Sequence, residues 1–424
     1  MIRFLFKGLM RDRSRSLFPI LTVVIGVMLS VFLYNWINGA EFNFIDSSAR
    51  FNTGHVKVMS RAYAREADQV PNDLALVGVR SLMVQLQEQY PEMIWTPRIR
   101  FGGLLDIPDA QGETRDQGPV MGLAVDLFSA GSAEPGIFKL EEALVRGRVP
   151  QQAADILISE DFARRLKVEP GDTATLISVT MQGSMAVANF TVAGTIRFGV
   201  EAMDRGAMIA DIAAISAALD MEDAAGEILG FFADFLYRDE KAKETAARFN
   251  AAYSADPDEF APLMDTLSSQ AGMADLLAMM RMFSSLVLVV FIAVMSIVLW
   301  NAGLMGSLRR YGEIGVRLAM GETKTHVYWS LIMEALMVGA LGTLIGTAVG
   351  LAESYYLQAH GLDIGFMMKN ASLFVSNVMR AKVSPMSYAI GFIPGIAATF
   401  LGASISGLGI FRRQTSQLMK ELES

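Results

Sequence analysis

Cysteine is absent from this chain of 424 residues, and histidine occurs only three times. Without cysteine the protein can form no disulfide and cannot use a thiol as a nucleophile or a metal ligand. His55, His326 and His360 lie far apart and show no metal-ligand spacing. Thiol chemistry is therefore excluded, and the sequence predicts no metal site.

Motifs for nucleophilic catalysis and for nucleotide binding are also lacking. The segment GASISG, Gly402–Gly407, has the wrong spacing for a G-x-S-x-G nucleophile and lies in an apolar run. The segment GETKT, which begins at Gly321, has Thr323 where a phosphate-binding loop needs a glycine directly before its lysine. The sequence thus predicts that the chain is not an enzyme and binds no cofactor by itself.

Charge is missing from three stretches of 25, 27 and 29 residues, and about 20 apolar residues suffice to cross a bilayer. A fourth apolar run carries Glu334 and Glu353 with 18 uncharged residues between them. We therefore predict four membrane helices. The predicted spans are 17–37, 282–308, 328–357 and 385–411.

The distribution of positive charge orients these spans. Lys and Arg number five before the first span, four in the linker after the second span and three in the tail, so these segments are predicted to be cytoplasmic. Residues 38–281 hold 36 acidic and 21 basic residues and are predicted to lie outside. The first span could instead be a cleaved signal peptide, but it is too long for one and lacks an A-x-A cleavage site.

The predicted fold class is a membrane α-helical protein with four transmembrane helices and a large extracytoplasmic α/β domain, of mixed α+β type, inserted between helices 1 and 2. The spans are joined and flanked by five further segments. These are an amphipathic cytoplasmic segment (1–16), a periplasmic domain with a helical stalk (38–281), a cytoplasmic linker (309–327), a periplasmic loop (358–384) and a cytoplasmic tail (412–424).

Hydrophobic periodicity in the outer segment changes between strand and helix. HVKVM alternates as strands do, and the residues around Ile156 and Ile158 are predicted to form another strand, whereas KETAARFNAAY is predicted to be the last helix of the domain. A further helix, ending before Pro91, has its apolar face at Val79, Leu82, Met83 and Leu86.

The residues before the second span keep helical spacing into it. A continuous helix here would be a stalk that transmits motion between the membrane and the outer domain. The alternative is a short amphipathic cap on that domain. The residues with this spacing are Met273, Leu276, Leu277, Met280 and Phe283.

The linker between the second and third spans has the pattern of an amphipathic helix. Tyr311, Ile314 and Leu318 form an apolar face, and Gly321 is placed to end the helix. Such a helix could rest on anionic lipid or dock in a groove of a cytoplasmic partner. Its charged face consists of Arg309, Arg310, Glu313 and Arg317.

Glycines in the last two spans predict close helix packing. Three of them recur at four-residue spacing in the third span, which allows another helix backbone to approach. The pattern does not decide whether the contact is within the chain or between chains. The glycines are Gly342, Gly346 and Gly350 in the third span and Gly391 and Gly395 in the fourth.

Glu334 lies about one turn inside the predicted cytoplasmic boundary of the third span. A carboxylate at the centre of a bilayer costs about 2.5–3.5 kcal/mol on insertion scales. At this depth Glu334 can extend to the interface or pair with a linker cation such as Arg317. We predict that it connects the linker to the helix structurally.

The segment LRRYGEIGVRLAMGETKTHVYWSLIMEALMVGALGTLIGTAVG resembles the core signature of the FtsX-like permeases. Glu313, Ile314, Gly315, Arg317 and Ala319 occupy places that match this signature. The outer segments, including ISEDFARRLKVEPGDTATL, are similar to the lipoprotein-releasing (Lol) permeases and, more distantly, to MacB-type ABC exporters. Further matching positions are Gly321, Glu334 and Ala335.

The resemblance implies a permease subunit in the bacterial inner membrane. Its implied partners are two copies of a separate ABC ATPase, which binds ATP and Mg²⁺, and a second permease that is the same chain or a paralogue. The implied function is to use ATP hydrolysis to extract an amphiphilic substrate, foremost lipoprotein, with a periplasmic carrier as a further candidate partner and no nucleic acid. The alternative is an FtsX-like scaffold that regulates a periplasmic enzyme. The resemblance assigns ATPase coupling to Tyr311, Glu313, Ile314, Arg317 and Leu318.

Overall fold

The structure is a computed structural model that describes residues 13–109, 111–270, 272–308, 311–364, 376–408 and 411. Within helices, the side chains of residues 13–16, 302–308 and 311–313 are also outside the description. The chain divides into two compact units. The membrane unit is residues 1–42, 278–362 and 379–424, and the outer unit is residues 43–277 and 363–378.

A ring of six strands forms the larger part of the outer unit. In order around the ring these strands are β3, β4, β9, β6, β8 and β7, and β7 pairs again with β3. Closure satisfies the edges that an open sheet would expose. The strands, in chain order, are β1 Val56–Ser60, β2 Leu76–Val77, β3 Met93–Pro108, β4 Thr114–Val125, β5 Leu144–Gly147, β6 Asp155–Ser159, β7 Thr173–Val179, β8 Met185–Ile196, β9 Ala207–Asp211, β10 Ala224–Ala225, β11 Glu227–Phe232, β12 Pro262–Thr266, β13 Leu362–Asp363 and β14 Val378–Met379.

The first half of β3 belongs to a second layer, in which the strand order is β12, β1, β11 and β3. Helices Val79–Gln89 and Asp239–Tyr253 pack on this layer, and Leu86 and Phe249 are buried in its core. The long strand β3 thus connects both layers around one hydrophobic core. The other helices of the outer unit are Arg61–Arg65, Glu134–Phe138, Leu140–Ala143, Glu160–Arg165, Glu201–Asp204 and Ile212–Ala218.

The two ends of the outer unit's main segment are paired with each other. Strands β1 and β12 are antiparallel neighbours, with Val56 opposite Thr266. Beyond the strands, Leu267 donates its backbone N–H to the carbonyl oxygen of His55 at 3.1 Å, and the Gln270 side chain donates to the carbonyl oxygen of Thr53 at 3.3 Å. The two ends of this main segment therefore lie side by side in the sheet.

Among its described residues, the membrane unit contains four helical segments that are long and apolar enough to cross a bilayer. The first three are α-helices, although the first contains Pro19. The fourth, Pro385–Gly407, is not a regular helix, because a 3₁₀ turn and a π-helical turn precede its α-helical part. Pro394 lies in the π-helical turn, where proline cannot donate the regular hydrogen bond. The α-helices are Arg13–Ser48, Met273–Leu308, Tyr311–Ala319, Lys324–His360 and Ala398–Gly407.

The predicted fold class is confirmed, since the membrane helices are accompanied by a mixed α/β unit. The expected apolar face of the helix Val79–Gln89 is buried at Val79, Leu82 and Leu86. The second long helix begins at Met273 and continues without a break to Leu308. The helix Asp239–Tyr253 is followed by strand β12, which the sequence analysis did not predict.

Candidate functional site

The linker between the second and third long helices contains a short helix, Tyr311–Ala319. It ends at Gly321, whose φ of +94° lies in the left-handed region that favours glycine. The next helix begins directly afterwards, with the Thr323 side chain accepting the backbone N–H of His326. The glycine turn therefore folds the linker helix back on the start of the third long helix. Arg309 and Arg310 lie outside the described residues.

The predicted apolar face of the linker helix packs within the chain. Ile314 is 4% exposed and contacts Val327, which is 1% exposed, at the start of the third long helix. Leu318 and Leu331 pack against this pair. In this part of the face, Ile314 is thus covered by the chain itself, while Leu318 remains half-buried.

Arg317 forms a bidentate ion pair with Glu322, at 2.6 Å from Nε to Oε2 and 2.7 Å from Nη2 to Oε1. The hydrogen bonds from Arg317 hold the pKa of Glu322 below its usual range. His326 Nε2 lies 3.5 Å from Glu322 Oε1. The sequence analysis had suggested Glu334 as a partner of Arg317, but the guanidinium is directed at Glu322 across the glycine turn. Glu334 is half-buried in the third long helix.

The outward surface of the linker helix is apolar as well. Val316 is 40% exposed and Met320 is 75% exposed, at i and i+4 spacing, with exposed Ala319 between them. Sequence reasoning missed this surface, although the spacing of Val316 and Met320 was a signal for it. The side chains of Tyr311 and Glu313 lie outside the described residues.

The glycines of the third long helix face the first long helix. A Cβ atom at Gly342 would lie 2.6 Å from Val23 Cβ. At Gly346 it would lie 2.6 Å from the carbonyl oxygen of Val24. The structure thus places this glycine stripe at a contact within the chain, where the two backbones approach closely. A Cβ atom at Gly350 would similarly lie 2.9 Å from the carbonyl oxygen of Met28.

The glycines of the fourth apolar segment give room to side chains of the third long helix. A Cβ atom at Gly391 would lie 2.9 Å from Thr347 Oγ1, and one at Gly395 would collide with Thr343 Oγ1. Val27 of the first long helix contacts the same two glycines. The first, third and fourth membrane segments therefore meet along one seam.

A buried polar cluster lies at the other end of these segments. Asn35 is fully buried and donates its side-chain N–H to Ser354 Oγ at 2.9 Å. Its side-chain oxygen accepts the hydroxyl of Ser387, and its carbonyl oxygen accepts the backbone N–H of Lys382 at 2.9 Å. This cluster connects the first and third long helices to the start of the fourth segment by hydrogen bonds. Polar side chains commonly form such bonds between helices in membranes.

Buried ionisable groups in the outer unit have structural partners. Glu160 accepts hydrogen bonds from Arg146, Arg164 and Thr195, and Asp155 accepts a bidentate pair from Arg148. Among the described residues no group of three or more His, Asp or Glu side chains could hold a metal ion. These charges therefore stabilise loops and strand ends, and they form no arrangement of acid, base and nucleophile.

Asp204 has a distinct electrostatic environment. It is 5% exposed, and its Oδ1 accepts the backbone N–H of Phe198 at 2.8 Å. Burial raises the pKa of Asp204 to about 6, and Asp161 contributes in the same direction while Arg197 opposes it. Because the folded-state pKa lies above the ordinary value of 3.8, the stability that the protonated carboxyl contributes is complete below about pH 3.8, declines as the pH rises and is lost above about pH 6.

We expect Asp204→Asn to stabilise the outer unit at about pH 8 and to have much less effect at about pH 3.5, where the carboxyl is mostly protonated in both the folded and the unfolded chain. A shift of about two pKa units corresponds to about 3 kcal/mol at most. Thermal melting of the intact chain at the two pH values measures the difference. Asp211→Asn serves as a control, because Asp211 also accepts a backbone N–H at the start of a helix. Equal stabilisation by Asp204→Asn at both pH values would contradict a raised pKa of Asp204.

The fold and these sites define a multi-pass membrane protein with a large domain on one side. Residues 16–252 match the model of the MacB-like periplasmic core domain, and residues 285–415 match that of the FtsX-like permease C-terminal domain. The first match covers more than half of the chain. The chain therefore belongs to the MacB-like family of FtsX-type permeases, and it is an inner-membrane protein with a periplasmic domain.

Its relatives include ATP-binding permeases. Macrolide export ATP-binding/permease protein MacB 1 of Yersinia pestis bv. Antiqua (strain Antiqua) is 24% identical over 300 residues, which are 68% of this chain and 42% of that protein. The MacB protein of Wolinella succinogenes is 32% identical over 82 residues, 18% of this chain and 13% of that protein. The chain thus spans less than half the length of these relatives.

A solved structure is also similar. It is the periplasmic region of MacB from Actinobacillus actinomycetemcomitans, with a TM-score of 0.34 and 11% sequence identity over 53% of this chain and 94% of that one.

Proposed function

We propose that this chain is the permease subunit of an ABC transporter, which couples ATP hydrolysis by a separate ATPase to work on an amphiphilic substrate at the periplasmic face. The observation that carries the proposal is the outward surface of the linker helix, where exposed Val316 and Met320 flank Arg317. An exposed apolar pair beside a charged residue is the composition of a docking surface. The sequence of the chain contains no nucleotide-binding motif of its own.

The structure also suggests how the coupling residues divide their roles. Ile314 and Leu318 pack on Val327 and Leu331, so in this proposal they fix the linker helix to the third long helix. Val316, Met320 and Arg317 then contact the ATPase, together with Tyr311 and Glu313. A displacement of the docked surface would pass directly into the third long helix.

We propose lipoprotein as the substrate, on the similarity of the outer segments to lipoprotein-releasing permeases. The relatives are named as macrolide exporters, and a macrolide is the second candidate because it is also amphiphilic. The proposed assembly contains two ATPase copies with ATP and Mg²⁺, and a second permease that is this chain or a paralogue. A periplasmic carrier is a further proposed partner.

The first experiment is purification of the intact protein from its native membrane in mild detergent, followed by mass spectrometry and an ATPase assay. We expect an ABC ATPase in near-stoichiometric amount, together with bound lipoprotein. Copurification of a cell-wall hydrolase without lipoprotein would favour the scaffold role instead. Absence of any ATPase, with none that could be reconstituted, would overturn the proposal.

We expect Arg317→Glu to abolish stimulation of the copurified ATPase while the chain remains folded. The swap Arg317→Glu with Glu322→Arg is the matched variant, because it restores an ion pair across the glycine turn but reverses both charges. Docking predicts that the swap remains uncoupled. The measurement is the ATPase rate of the reconstituted complex at equal subunit content.

Recovery of stimulation in the swap would show that the Arg317–Glu322 pair acts only within the linker. Met320→Glu tests the apolar part of the surface in the same assay and is expected to uncouple as well, because Met320 is 75% exposed and contributes little to the fold. Thr325→Glu, at an exposed site just beyond the turn, is the control for added negative charge.

A further inference from the structure

The end of the first long helix lies in the outer unit. After Ser48 the chain forms a π-helical turn, Ala49–Thr53, which Gly54 ends at φ +59° by donating its N–H to the carbonyl oxygen of Ala49 at 2.9 Å. The last carbonyl groups of a helix have no partner within it. Other groups must satisfy them where the helix end is buried.

Arg98 supplies one such partner from strand β3. Its side chain is 1% exposed, and its Nη1 donates to the carbonyl oxygen of Arg50 at 2.7 Å. Its Nε and Nη2 both donate to Glu134, each at 2.8 Å. The planar guanidinium thus binds a carboxylate with one side and a helix carbonyl with its third nitrogen, a geometry that lysine cannot reproduce.

Glu134 and its helix hold the π-helical turn from another side. Glu134 is fully buried and also accepts the Thr96 hydroxyl at 2.6 Å. The ring of Phe138, four residues further on, lies 4.9 Å from the Arg98 guanidinium carbon and 5.6 Å from the ring of Phe51 in the turn. Strand β3, the helix Glu134–Phe138 and the helix end therefore meet at one buried ion pair.

Stability alone does not explain this pair. Desolvation offsets most of the attraction between buried charges, and hydrophobic residues of similar volume often replace such pairs without loss. A hydrophobic pair, however, cannot donate to the carbonyl oxygen of Arg50. The specific contribution of Arg98 is therefore the position of the helix end relative to strand β3.

We infer that Arg98, held by Glu134, is a positioning residue that fixes the end of the first membrane helix to the outer sheet, so that movement of this helix carries the sheet with it. The coupling role rests on the proposed transport function. The anchoring of the helix end does not depend on that function and can be measured separately.

The test compares two double variants of the full chain in lipid nanodiscs with the copurified ATPase. Arg98→Met with Glu134→Leu removes the anchor but fills its volume. Lys57→Met with Glu227→Leu replaces a second buried ion pair, between strands β1 and β11, and removes neither Arg98 nor Glu134, although Glu227 lies opposite Arg98 in the pairing of β11 with β3.

Two readouts separate the anchor from its coupling role. Hydrogen exchange reports on residues 49–54, independently of ATP. Spin labels at Gln182→Cys and Ala359→Cys, both exposed sites, report an ATP-driven distance change, and no native cysteine interferes with labelling. We expect the anchor variant to melt near the wild-type temperature, to exchange about tenfold faster at residues 49–54 and to lose most of the ATP-driven distance change. The control variant is expected to keep the wild-type exchange rate and the wild-type distance change.

An unaltered exchange rate at residues 49–54 in the anchor variant would show that Arg98 does not hold the helix end. A full ATP-driven change in that variant, or an equal loss in the control pair, would overturn the coupling role. If the wild-type chain shows no ATP-driven change, the proposed function fails and the coupling role with it, while the exchange data still decide the anchor. Should the double variant not fold, Arg98→Lys replaces it, since lysine keeps the charge but not the three directed donors.

Discussion

Replacing Gly346 with leucine is expected to prevent the membrane unit from folding correctly. A Cβ atom at this position would lie 2.6 Å from the carbonyl oxygen of Val24 and 2.9 Å from Val27 Cβ. The nearer of these atoms is backbone, so no rotamer change relieves the contact, and the two helices must separate. Overpacking of a well-packed core costs about 1–3 kcal/mol or more, and we expect the upper end here. The yield and melting temperature of the detergent-extracted chain measure the effect.

Ala348→Leu is the matched control for this substitution. Ala348 is exposed on the opposite face of the same helix, so the same side chain meets no other part of the described membrane unit there. We expect wild-type yield and melting for this variant. Normal folding of Gly346→Leu would contradict the close contact of the first and third long helices.

Replacing Lys57 alone with methionine is expected to destabilise the outer unit by about 3–5 kcal/mol, because it leaves Glu227 as a buried charge. Lys57 Nζ lies 2.9 Å from Glu227 Oε1, and these side chains are 3% and 1% exposed. Burial opposes ionisation of Glu227, but Lys57 and Arg100 hold the pKa of this carboxyl below its usual range. Arg100 alone, at 3.6 Å, is a poorer partner.

The double variant Lys57→Met with Glu227→Leu tests whether the unpaired buried charge of Glu227 causes the destabilisation. Because both charges are removed, we expect it to melt much closer to wild type than the single variant does. Melting of the intact chain can be followed by its tryptophan fluorescence, to which Trp95 contributes from the outer unit and Trp36, Trp300 and Trp329 from the membrane unit. Equal destabilisation of both variants would point to lost packing rather than to an uncompensated charge.

Local periodicity accounts for the elements that the sequence predicted correctly. Ile156 and Ile158 lie in a strand, and Val79, Leu82 and Leu86 lie on the buried face of a helix, because both patterns are set by residues close together in the chain. The apolar runs likewise predicted the four membrane segments, since the bilayer thickness determines their length.

The elements that the sequence did not predict depend on distant contacts. Strand β3 contains Pro97, Arg98 and Arg100, which argue against a central strand when read locally. It is a strand because β11 pairs with its first half, and β4 and β7 pair with its second half. The buried position of Arg98 requires Glu134, 36 residues further along the chain.

The candidate docking surface was missed for a similar reason. The linker helix has one apolar pair at Ile314 and Leu318, and a second pair is formed by Val316 and by Met320 directly after the helix end. Only the turn at Gly321 decides which pair the third long helix covers. Periodicity within nine residues cannot supply that information.

The pairing of strands β1 and β12 also bears on how such a protein can be assembled from parts. Since opposite residues of an antiparallel pair lie about 4.5–5.5 Å apart, the segment 56–266 begins and ends at nearly the same point. Domains with adjacent termini are the ones that tolerate insertion into another chain. The segment can therefore be exchanged as a cassette between relatives, with the junctions placed beside Val56 and Thr266, without lengthening either connection to the membrane helices.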